Sequence, residues 1–302
     1  MNLRDLEYLV AVAKYRHFHQ AAEACFVSQP TLSGQIKKLE QHLGVCLIER
    51  GRKQKVMMTA IGQQVVERAE LILQEAHQIE QISKLAHDPF SGALHLALIP
   101  TLAPYLLPYV VPVLKENWPQ LELMLHELQT AVLLDRLAKG EIELGVLALP
   151  IESEEFKTIP LFEEPFYLAM PPQHPLAKQK KIAIQSLQDE TMLLLDDGHC
   201  FRDQALEVCF QGGAHEKTSF RGTSLETLKQ MVIAGSGLTL LPQLAIGKES
   251  KEIKYKAFQS PEPVRVMGLV YRSNSPREKV FIEMGRRIQD AVVSLGLRKI
   301  AG

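Results

Sequence analysis

The chain has 302 residues, of which 46% are hydrophobic and 23% charged, a composition typical of folded proteins and long enough for about two domains. No segment reaches the ~18 uninterrupted apolar residues of a membrane span. Because Arg4, Asp5 and Glu7 interrupt the first apolar residues, we expect no signal peptide either. Four cysteines are too few for a disulfide scaffold and predict a reducing, cytoplasmic location. Residues 1–60 carry a net charge of +4 and the remainder −5, so we expect only the N-terminal part to bind a polyanion.

The N-terminal part is typical of short helices that pack together. Apolar residues at helical spacing predict a helix over 3–14, and small alanines favour a second over 20–25. Ser28 is a suitable N-cap, and Pro30 is tolerated in the first turn that follows. Gly44 suits the left-handed residue that ends a helix, so we predict a third helix over 29–43.

A wing and a long helix are predicted next. The basic turn at 50–55 lies between two short apolar runs, which predicts a β-hairpin over 49–58. Residues 59–87 then carry an apolar seam spaced by threes and fours, made of Ile61, Val65, Ala69, Ile72, Ala76, Ile79 and Ile82. Such a stripe needs a partner, and a second copy of the chain is the simplest one. Packing on the rest of the same chain is the alternative.

The predicted third helix presents a polar face, because Leu32 and Ile36 lie on its apolar side. Amide and hydroxyl groups on that face suit base edges and phosphates, and basic wing residues suit the phosphate backbone. The candidate DNA-binding residues are Ser28, Gln29, Pro30, Thr31, Ser33, Gln35, Lys37, Arg50, Arg52 and Lys53. A solvated basic surface is the alternative, but charge alone would not come with a two-helix pattern. We therefore expect a double-stranded DNA operator as partner.

After a hinge at 88–92, strand-like and helix-like stretches alternate. Strands are predicted over 94–99, 121–125, 142–149, 166–170, 192–195, 238–241 and 266–271. This alternation predicts an α/β domain with a mostly parallel sheet. Ligands of such sheets bind at the carboxyl ends of strands, which points to residues 100–101 and 129–130.

The N-terminal motifs resemble those of LysR-type regulators. The residues that carry the resemblance are Ala21 and Ala22, the run from Val27 to Ser33, Leu43 and Gly44, and Glu49 and Arg50. The resemblance implies a winged helix-turn-helix over 1–58, a linker and dimerisation helix over 59–87, and an α/β effector domain over 88–302. That domain would be two-lobed and similar to periplasmic binding proteins, with lobe I at about 92–161 plus 268–302 and lobe II at about 162–267. The family also implies a homotetramer built as a dimer of dimers, and contact with RNA polymerase.

The body resembles the peroxide-sensing members of this family, notably in segments 98–101, 104–108, 198–205, 223–228, 234–237 and 268–272. The sequence departs from the resemblance in the wing, with one extra residue near Gly51, in the segment 247–260 and in the C-terminal helix. The resemblance implies a peroxide pocket made of Thr101, Thr130, Gly198, His199, Arg202, Asp203 and Arg265. In that comparison Arg265 favours a thiolate, although a buried arginine ordinarily pairs with a carboxylate. A thiol reductant of the glutaredoxin or thioredoxin type would reset the sensor.

The residues around Cys200 suggest the chemistry. A helix entrance at 196–198 places Cys200 in a first turn, where free N–H groups and the dipole lower a thiol pKa and Arg202 adds positive charge. Peroxide oxidises a thiolate to a sulfenic acid that a second thiol, here Cys209, resolves. Nine helical residues separate the two Cα atoms by about 13.5 Å, whereas a disulfide needs about 4.4–6.8 Å. We therefore expect the helix to unwind when the bond forms.

Other chemistries fit the sequence less well. His199, Cys200, Cys209 and His215 could bind a metal, but the short Cys-x2-4-Cys knuckle of zinc sites is absent, so we expect no metal and no cofactor. The sequence also lacks the Gly-x-Ser-x-Gly motif that would indicate a hydrolase. Two alternatives stay open: a LysR-type regulator gated by a non-covalent metabolite, and a thiol peroxidase. The basic N-terminal part argues against the peroxidase, so we do not expect an enzyme.

The remaining cysteines, Cys25 and Cys46, lie among apolar neighbours. Such thiols are more often buried packing groups than reactive ones. We therefore predict that both are buried and structural.

Overall fold

The computed structural model describes residues 1–49, 56–85, 89–247 and 251–300. The chain divides into two compact units, Met1–His87 and Asp88–Gly302, which we call the head and the body. No helix in the described ranges is long and apolar enough to cross a membrane.

In its described residues, the head consists of four helices and a short hairpin. Its elements are α1 (Leu3–Tyr15), α2 (Phe18–Ala24), α3 (Gln29–Leu43), β1 (Ile48–Glu49), β2 (Met57–Met58) and α4 (Ala60–Leu85). The helices surround one apolar core that contains Leu9, Leu32 and Ile36. Strands β1 and β2 pair antiparallel, as the predicted wing requires. Residues 50–55 of that wing, with Arg50, Arg52 and Lys53, lie outside the described residues.

Local capping sets the position of α3. The Ser28 side chain accepts a hydrogen bond from the Thr31 backbone N–H, and Gly44 ends the helix in the left-handed region at φ +69°. The predicted range of 29–43 is confirmed. Helix α2 begins at Phe18, two residues earlier than predicted. Its N-cap, His17, has an extended backbone and forms no side-chain cap hydrogen bond, so no capping residue in the sequence marked this start.

Helix α4 runs within the predicted range, but its buried face differs from the predicted seam. Val66 and Ala69 are buried within the head, whereas Ile61, Ile72 and Ile79 of the seam are exposed. The head core therefore uses only a short part of the helix. Among the described residues of this unit, nothing covers the exposed isoleucines, which we call the stripe.

The body begins with alternating strands and helices, as predicted. Its elements are β3 (Gly92–Leu98), α5 (Ala103–Asn117), β4 (Leu121–Glu127), α6 (Thr130–Ala138), β5 (Leu144–Leu149), β6 (Phe156–Met170), β7 (Thr191–Leu195), α7 (Cys200–Gly212), β8 (His215–Gly222), α8 (Leu225–Ile233), β9 (Thr239–Pro242), β10 (Lys254–Ala257), β11 (Val264–Arg272), α9 (Glu278–Val293) and β12 (Arg298–Lys299). An α/β body after a winged helix-turn-helix and a long helix confirms the predicted fold class.

The prediction of a mostly parallel sheet is wrong. Strand β3 pairs parallel with β4 and β5, and β7 pairs parallel with β8. Strand β11 instead runs antiparallel to both β5 and β6, and β9, β10 and β12 are all antiparallel to β6. The antiparallel pairs arise because two long strands carry the chain out of one half of the body and back again.

Those two strands, β6 and β11, connect two apolar cores. One core contains side chains between Leu94 and Phe162 together with others between Met267 and Leu297. The second core contains side chains between Phe166 and Phe258. We call the corresponding halves the first and second lobes. The body is therefore two-lobed, with a cleft where the carboxyl ends of β3, β4 and β7 face each other.

Candidate functional site

Three chain segments that follow strands line the cleft between the lobes. Thr101 follows β3, Thr130 is the first residue of α6 after β4, and Cys200 is the first residue of α7 after β7. The residues that line the cleft are Ile99, Pro100, Thr101, Gln129, Thr130, Gly198, His199 and Cys200. The structure thus brings together four predicted pocket residues, Thr101, Thr130, Gly198 and His199, with the predicted reactive cysteine.

Cys200 is half-buried at the N-terminus of α7. The side chain of the N-cap residue, His199, forms no cap hydrogen bond, while its backbone carbonyl accepts one of 2.8 Å from the Arg202 N–H. The positive end of the helix dipole also lies here. The predicted placement of Cys200 in a first turn is confirmed.

His199 is almost fully buried, with 8% of its surface exposed. Its Nδ1 atom has no hydrogen-bond partner among the described residues. Burial lowers the pKa of the imidazole below its ordinary value, although Asp196 and Glu127 oppose the shift. The ring is therefore neutral at neutral pH, with one nitrogen able to donate a hydrogen bond and the other able to accept one.

The two threonines offer hydroxyl groups to the same cleft. Oγ1 of Thr130 is buried and has no hydrogen-bond partner among the described residues. Oγ1 of Thr101 accepts a hydrogen bond of 2.9 Å from Nη1 of Arg265. Because that bond uses a lone pair, the Thr101 proton remains available for donation.

Arg265 reaches the cleft only through neighbouring groups. Its side chain is fully buried, and its Nη2 lies 2.7 Å from a carboxylate oxygen of Glu164, which faces it across the β6–β11 pair. Nη2 also donates to the Thr101 carbonyl, and the guanidinium lies 5.3 Å from the Phe201 ring centroid. Arg265 therefore does not line the cleft. Glu164, a residue that no sequence pattern singled out, balances its charge.

Arg202 and Asp203 also lie outside the set of residues that line the cleft. Arg202 is two residues beyond Cys200, a rotation of about 200° around the helix, so it faces away. Its guanidinium donates to Asp197 and forms a bidentate pair with Glu216 at 2.8 and 3.1 Å. Its charge is thus matched by carboxylates rather than left free beside the thiol. Asp203 is exposed to solvent.

Cys209 lies in the second lobe core, with 3% of its surface exposed. Burial, followed by the charge of Glu216, raises the pKa of its thiol to about 11. Both cysteines are free and belong to one continuous helix, so their Cα atoms are about 13.5 Å apart. This arrangement corresponds to a reduced state with an unreactive second thiol.

The other cysteines only partly follow the prediction. Cys25 is half-buried, and burial raises the pKa of its thiol. Cys46 is exposed, so its predicted burial is wrong. After the turn at Gly44, the chain directs Leu47 and Ile48 into the head core and leaves Cys46 outside.

The predicted nucleic-acid face of α3 has the expected exposure at most positions. Leu32, Ile36 and Leu39 are buried, and Gln35 is half-buried. The exposed candidates in the described residues are Ser28, Gln29, Pro30, Thr31, Ser33 and Lys37. A residue that the sequence did not single out supports this face: buried Glu40 accepts hydrogen bonds from the Leu47 and Ile48 backbone N–H groups and fixes α3 to the wing.

Comparisons with known proteins agree for both units. Residues 87–289 match the family described as LysR substrate binding domain, and residues 3–63 match the bacterial regulatory helix-turn-helix proteins of the lysR family. A hydrogen peroxide-inducible genes activator from Pectobacterium carotovorum subsp. carotovorum is 48% identical over 292 residues, 96% of each chain.

Two solved structures are similar over nearly the whole chain. One is a full-length cysteine-to-aspartate variant of OxyR from Pseudomonas aeruginosa, with a TM-score of 0.75 and 36% identity over 96% of this chain and 98% of that one. The other is a cysteine-to-serine variant of OxyR from Corynebacterium glutamicum with hydrogen peroxide bound. It has a TM-score of 0.67 and 36% identity over 97% of this chain and 93% of that one.

Proposed function

The chain belongs to the LysR family of bacterial transcriptional regulators, and we propose that it is a DNA-binding regulator that senses hydrogen peroxide through Cys200 and Cys209. One observation carries the proposal: Nδ1 of His199 and Oγ1 of Thr130 are buried beside Cys200 without a partner among the described residues. Unpaired buried polar atoms are costly unless a small polar molecule satisfies them. Hydrogen peroxide can do so, because each of its hydroxyl groups both donates and accepts.

Oxidation of Cys200 is the first step. The thiolate sulfur attacks one peroxide oxygen, the O–O bond breaks, and the other oxygen leaves as hydroxide, which takes up a proton to become water. The sulfur loses two electrons and becomes a sulfenic acid. Amides at the start of α7 stabilise the thiolate, while the Thr101 hydroxyl and the His199 imidazole hold the peroxide and assist the leaving oxygen. Arg265 is a positioning residue that orients the Thr101 hydroxyl.

Resolution by Cys209 is the second step. Its sulfur attacks the sulfur of the sulfenic acid, an S–S bond forms, and water leaves. Overall, two thiols and one peroxide give one disulfide and two waters. Because the Cys209 thiol is buried and its pKa is raised to about 11, it reacts only after α7 opens. The disulfide then holds α7 in a rearranged form, and this change is the signal.

The head supplies the response. We propose that the exposed polar face of α3 reads a double-stranded DNA operator, with Arg50, Arg52 and Lys53 on its phosphates. The seam isoleucines of α4 pair two copies, and two such dimers form a homotetramer. Oxidation changes the footprint of the assembly on DNA and its contact with RNA polymerase in the cytoplasm. A reductant of the glutaredoxin or thioredoxin type resets the thiols, and no cofactor takes part.

The experiment is a thiol count on the full-length reduced protein before and after one equivalent of hydrogen peroxide, with peptide mass spectrometry. We expect two thiols to disappear and a Cys200–Cys209 linkage to form. Cys200→Ser abolishes the reaction, whereas Cys209→Ser still reacts but stops at a sulfenic acid. Cys46→Ala, which removes an exposed thiol outside the cleft, is the matched control and responds normally. A folded, DNA-bound Cys200→Ser protein that still answers peroxide would contradict the proposal.

A thiol peroxidase, the alternative function, can be distinguished from a sensor by its turnover of peroxide. With thioredoxin as reductant, a sensor consumes about one equivalent of peroxide quickly and further peroxide only slowly, as each disulfide is reset. Fast steady-state consumption of many equivalents would instead assign a catalytic function, and the regulator proposal would then need to be replaced.

A further inference from the structure

A contact between the two lobes borders the open side of the cleft. Gly198 is exposed just before α7, and Gln129 is half-buried between β4 and α6. A Cβ atom built on Gly198 would lie 2.9 Å from Oε1 and 3.2 Å from Cδ of Gln129. The Gln129 amide therefore rests directly on the Gly198 backbone. The residue at position 198 must also tolerate φ +90°, which favours glycine.

The Gln129 side chain has no evident structural task. Its residue is the N-cap of α6, yet the side chain forms no cap hydrogen bond. The structure also gives its amide no hydrogen bond to any other residue in the described ranges. What the side chain does is fill space beside Cys200.

That space is small. The cleft encloses about 150 Å³, including its open side. Because this figure counts space that is open to solvent, the enclosed part is smaller still. The Gln129 amide lies against Gly198 at the edge of this space, so a bulky group bound at Cys200 would have to displace it.

We propose that Gln129 is a specificity-determining residue that restricts Cys200 to hydrogen peroxide and excludes organic hydroperoxides. The inference rests on the proposed function and names its substrate class more closely. An organic hydroperoxide can undergo the same step: the thiolate attacks the terminal oxygen, the O–O bond breaks, and an alcohol leaves after taking up a proton. The electron balance is identical, so discrimination comes from the room available to the alkyl or aryl group.

The test compares rate constants for loss of the Cys200 thiol in the full-length reduced protein, using hydrogen peroxide and cumene hydroperoxide. We expect the unmodified protein to react much more slowly with cumene hydroperoxide than with hydrogen peroxide. In Gln129→Ala we expect the ratio of the cumene hydroperoxide rate constant to the hydrogen peroxide rate constant to rise about tenfold or more. Gln129→Met, which keeps the volume but not the amide, retains the original ratio.

The matched control is Gln188→Ala. Gln188 also lies against a glycine with positive φ, Gly213 at the far end of α7, with its Cγ 3.7 Å from a built Cβ. It does not line the cleft, so its removal leaves the ratio unchanged.

The outcomes separate this inference from the proposed function. Two results would overturn the role of Gln129 and leave peroxide sensing intact. One is an unchanged ratio of rate constants in Gln129→Ala. The other is an unmodified protein that reacts equally fast with both reagents. A loss of selectivity in Gln129→Met overturns that role too, because size alone would not be responsible. Failure of hydrogen peroxide to oxidise Cys200 in the unmodified protein instead refutes the proposed function.

Discussion

His199 and Cys200 are adjacent in the chain but differ in their access to water, and this difference decides what each can contribute. The cysteine is half-buried at a helix start, where a small solute can reach its sulfur. The histidine is nearly enclosed, so its ring stays neutral and keeps its hydrogen-bonding atoms for the cleft. A charged imidazole there would have no carboxylate in direct contact, within the part of the chain that the structure describes, to offset its desolvation.

The lowered pKa of His199 gives a pH prediction. In the unfolded chain the imidazole has its ordinary pKa of about 6.5, whereas burial lowers it in the folded chain. The unfolded state therefore binds more protons in this range, so stability is full above about pH 6.5 and falls as the pH drops toward the folded-state pKa. Replacing His199 with Asn, which cannot titrate, should make the loss of stability between pH 7.5 and 5.5 smaller.

The measurement is urea unfolding of both proteins at the two pH values. Other histidines titrate too, so the difference between the proteins is the relevant quantity. An identical pH dependence would mean that water reaches the imidazole freely and that burial does not control its charge.

At the scale of elements, α3 and β6 show what a sequence can and cannot predict. Helix α3 carries its own boundaries, because Ser28 and Gly44 act within a few residues of the helix ends. The part of β6 before Phe166 contains Pro160, Pro165 and charged residues, so local patterns did not indicate a strand there. It is held by pairing with β11, about a hundred residues away in the chain. That long-range pairing also determines the antiparallel direction, which strand composition does not encode.

The same limit applies to the candidate site. Cys200 and its helix entrance were predictable, because the signals are local. The partners of Arg202 and Arg265 were not predictable, because Glu216 and Glu164 lie on β8 and β6 rather than on the elements that carry the two arginines. Sequence reasoning placed both arginines in the pocket, while the structure uses them to fix α7 and Thr101.

Helix α7 should lose order when the protein is oxidised. Its two cysteines are about 13.5 Å apart while the helix is intact, far beyond disulfide reach. Oxidation should therefore increase amide hydrogen exchange across Cys200–Gly212 as helical hydrogen bonds break. Helix α8 (Leu225–Ile233), in the same lobe and without cysteine, is the control and should change little. Formation of the bond with unchanged exchange in α7 would show that rearrangement is not required.

At the scale of the whole molecule, the exposed stripe on α4 predicts assembly. Ile72 and Ile79 are exposed, whereas the apolar face that the head uses is limited to residues near Val66 and Ala69. Exposed apolar stripes of this length are typical of helices that pair. Ile72→Glu should therefore weaken dimerisation by at least about tenfold, since it buries an unpaired charge in the proposed interface. Analytical ultracentrifugation measures the effect.

The control for this prediction is Gln63→Glu, which adds the same charge at an exposed position of α4 outside the stripe. It should leave the dimer intact. Equal association of all three proteins would favour the other possibility, that the stripe is covered in some different way.

The uneven charge of the molecule leads to the last prediction, which concerns DNA. The first 60 residues carry +4 and the rest −5, so binding that depends on phosphate contacts should weaken steeply as salt rises. Within α3, Ser33 and Lys37 are both exposed but differ in chemistry. A serine hydroxyl can read a base edge, whereas a lysine on a phosphate carries no sequence information. Ser33→Ala should therefore lower affinity for the operator about tenfold while hardly changing affinity for random DNA. Lys37→Ala should lower both affinities and reduce the salt slope by about 1. Fluorescence anisotropy over a salt series distinguishes the two variants, and equal losses on both DNAs for Ser33→Ala would remove this residue from base recognition.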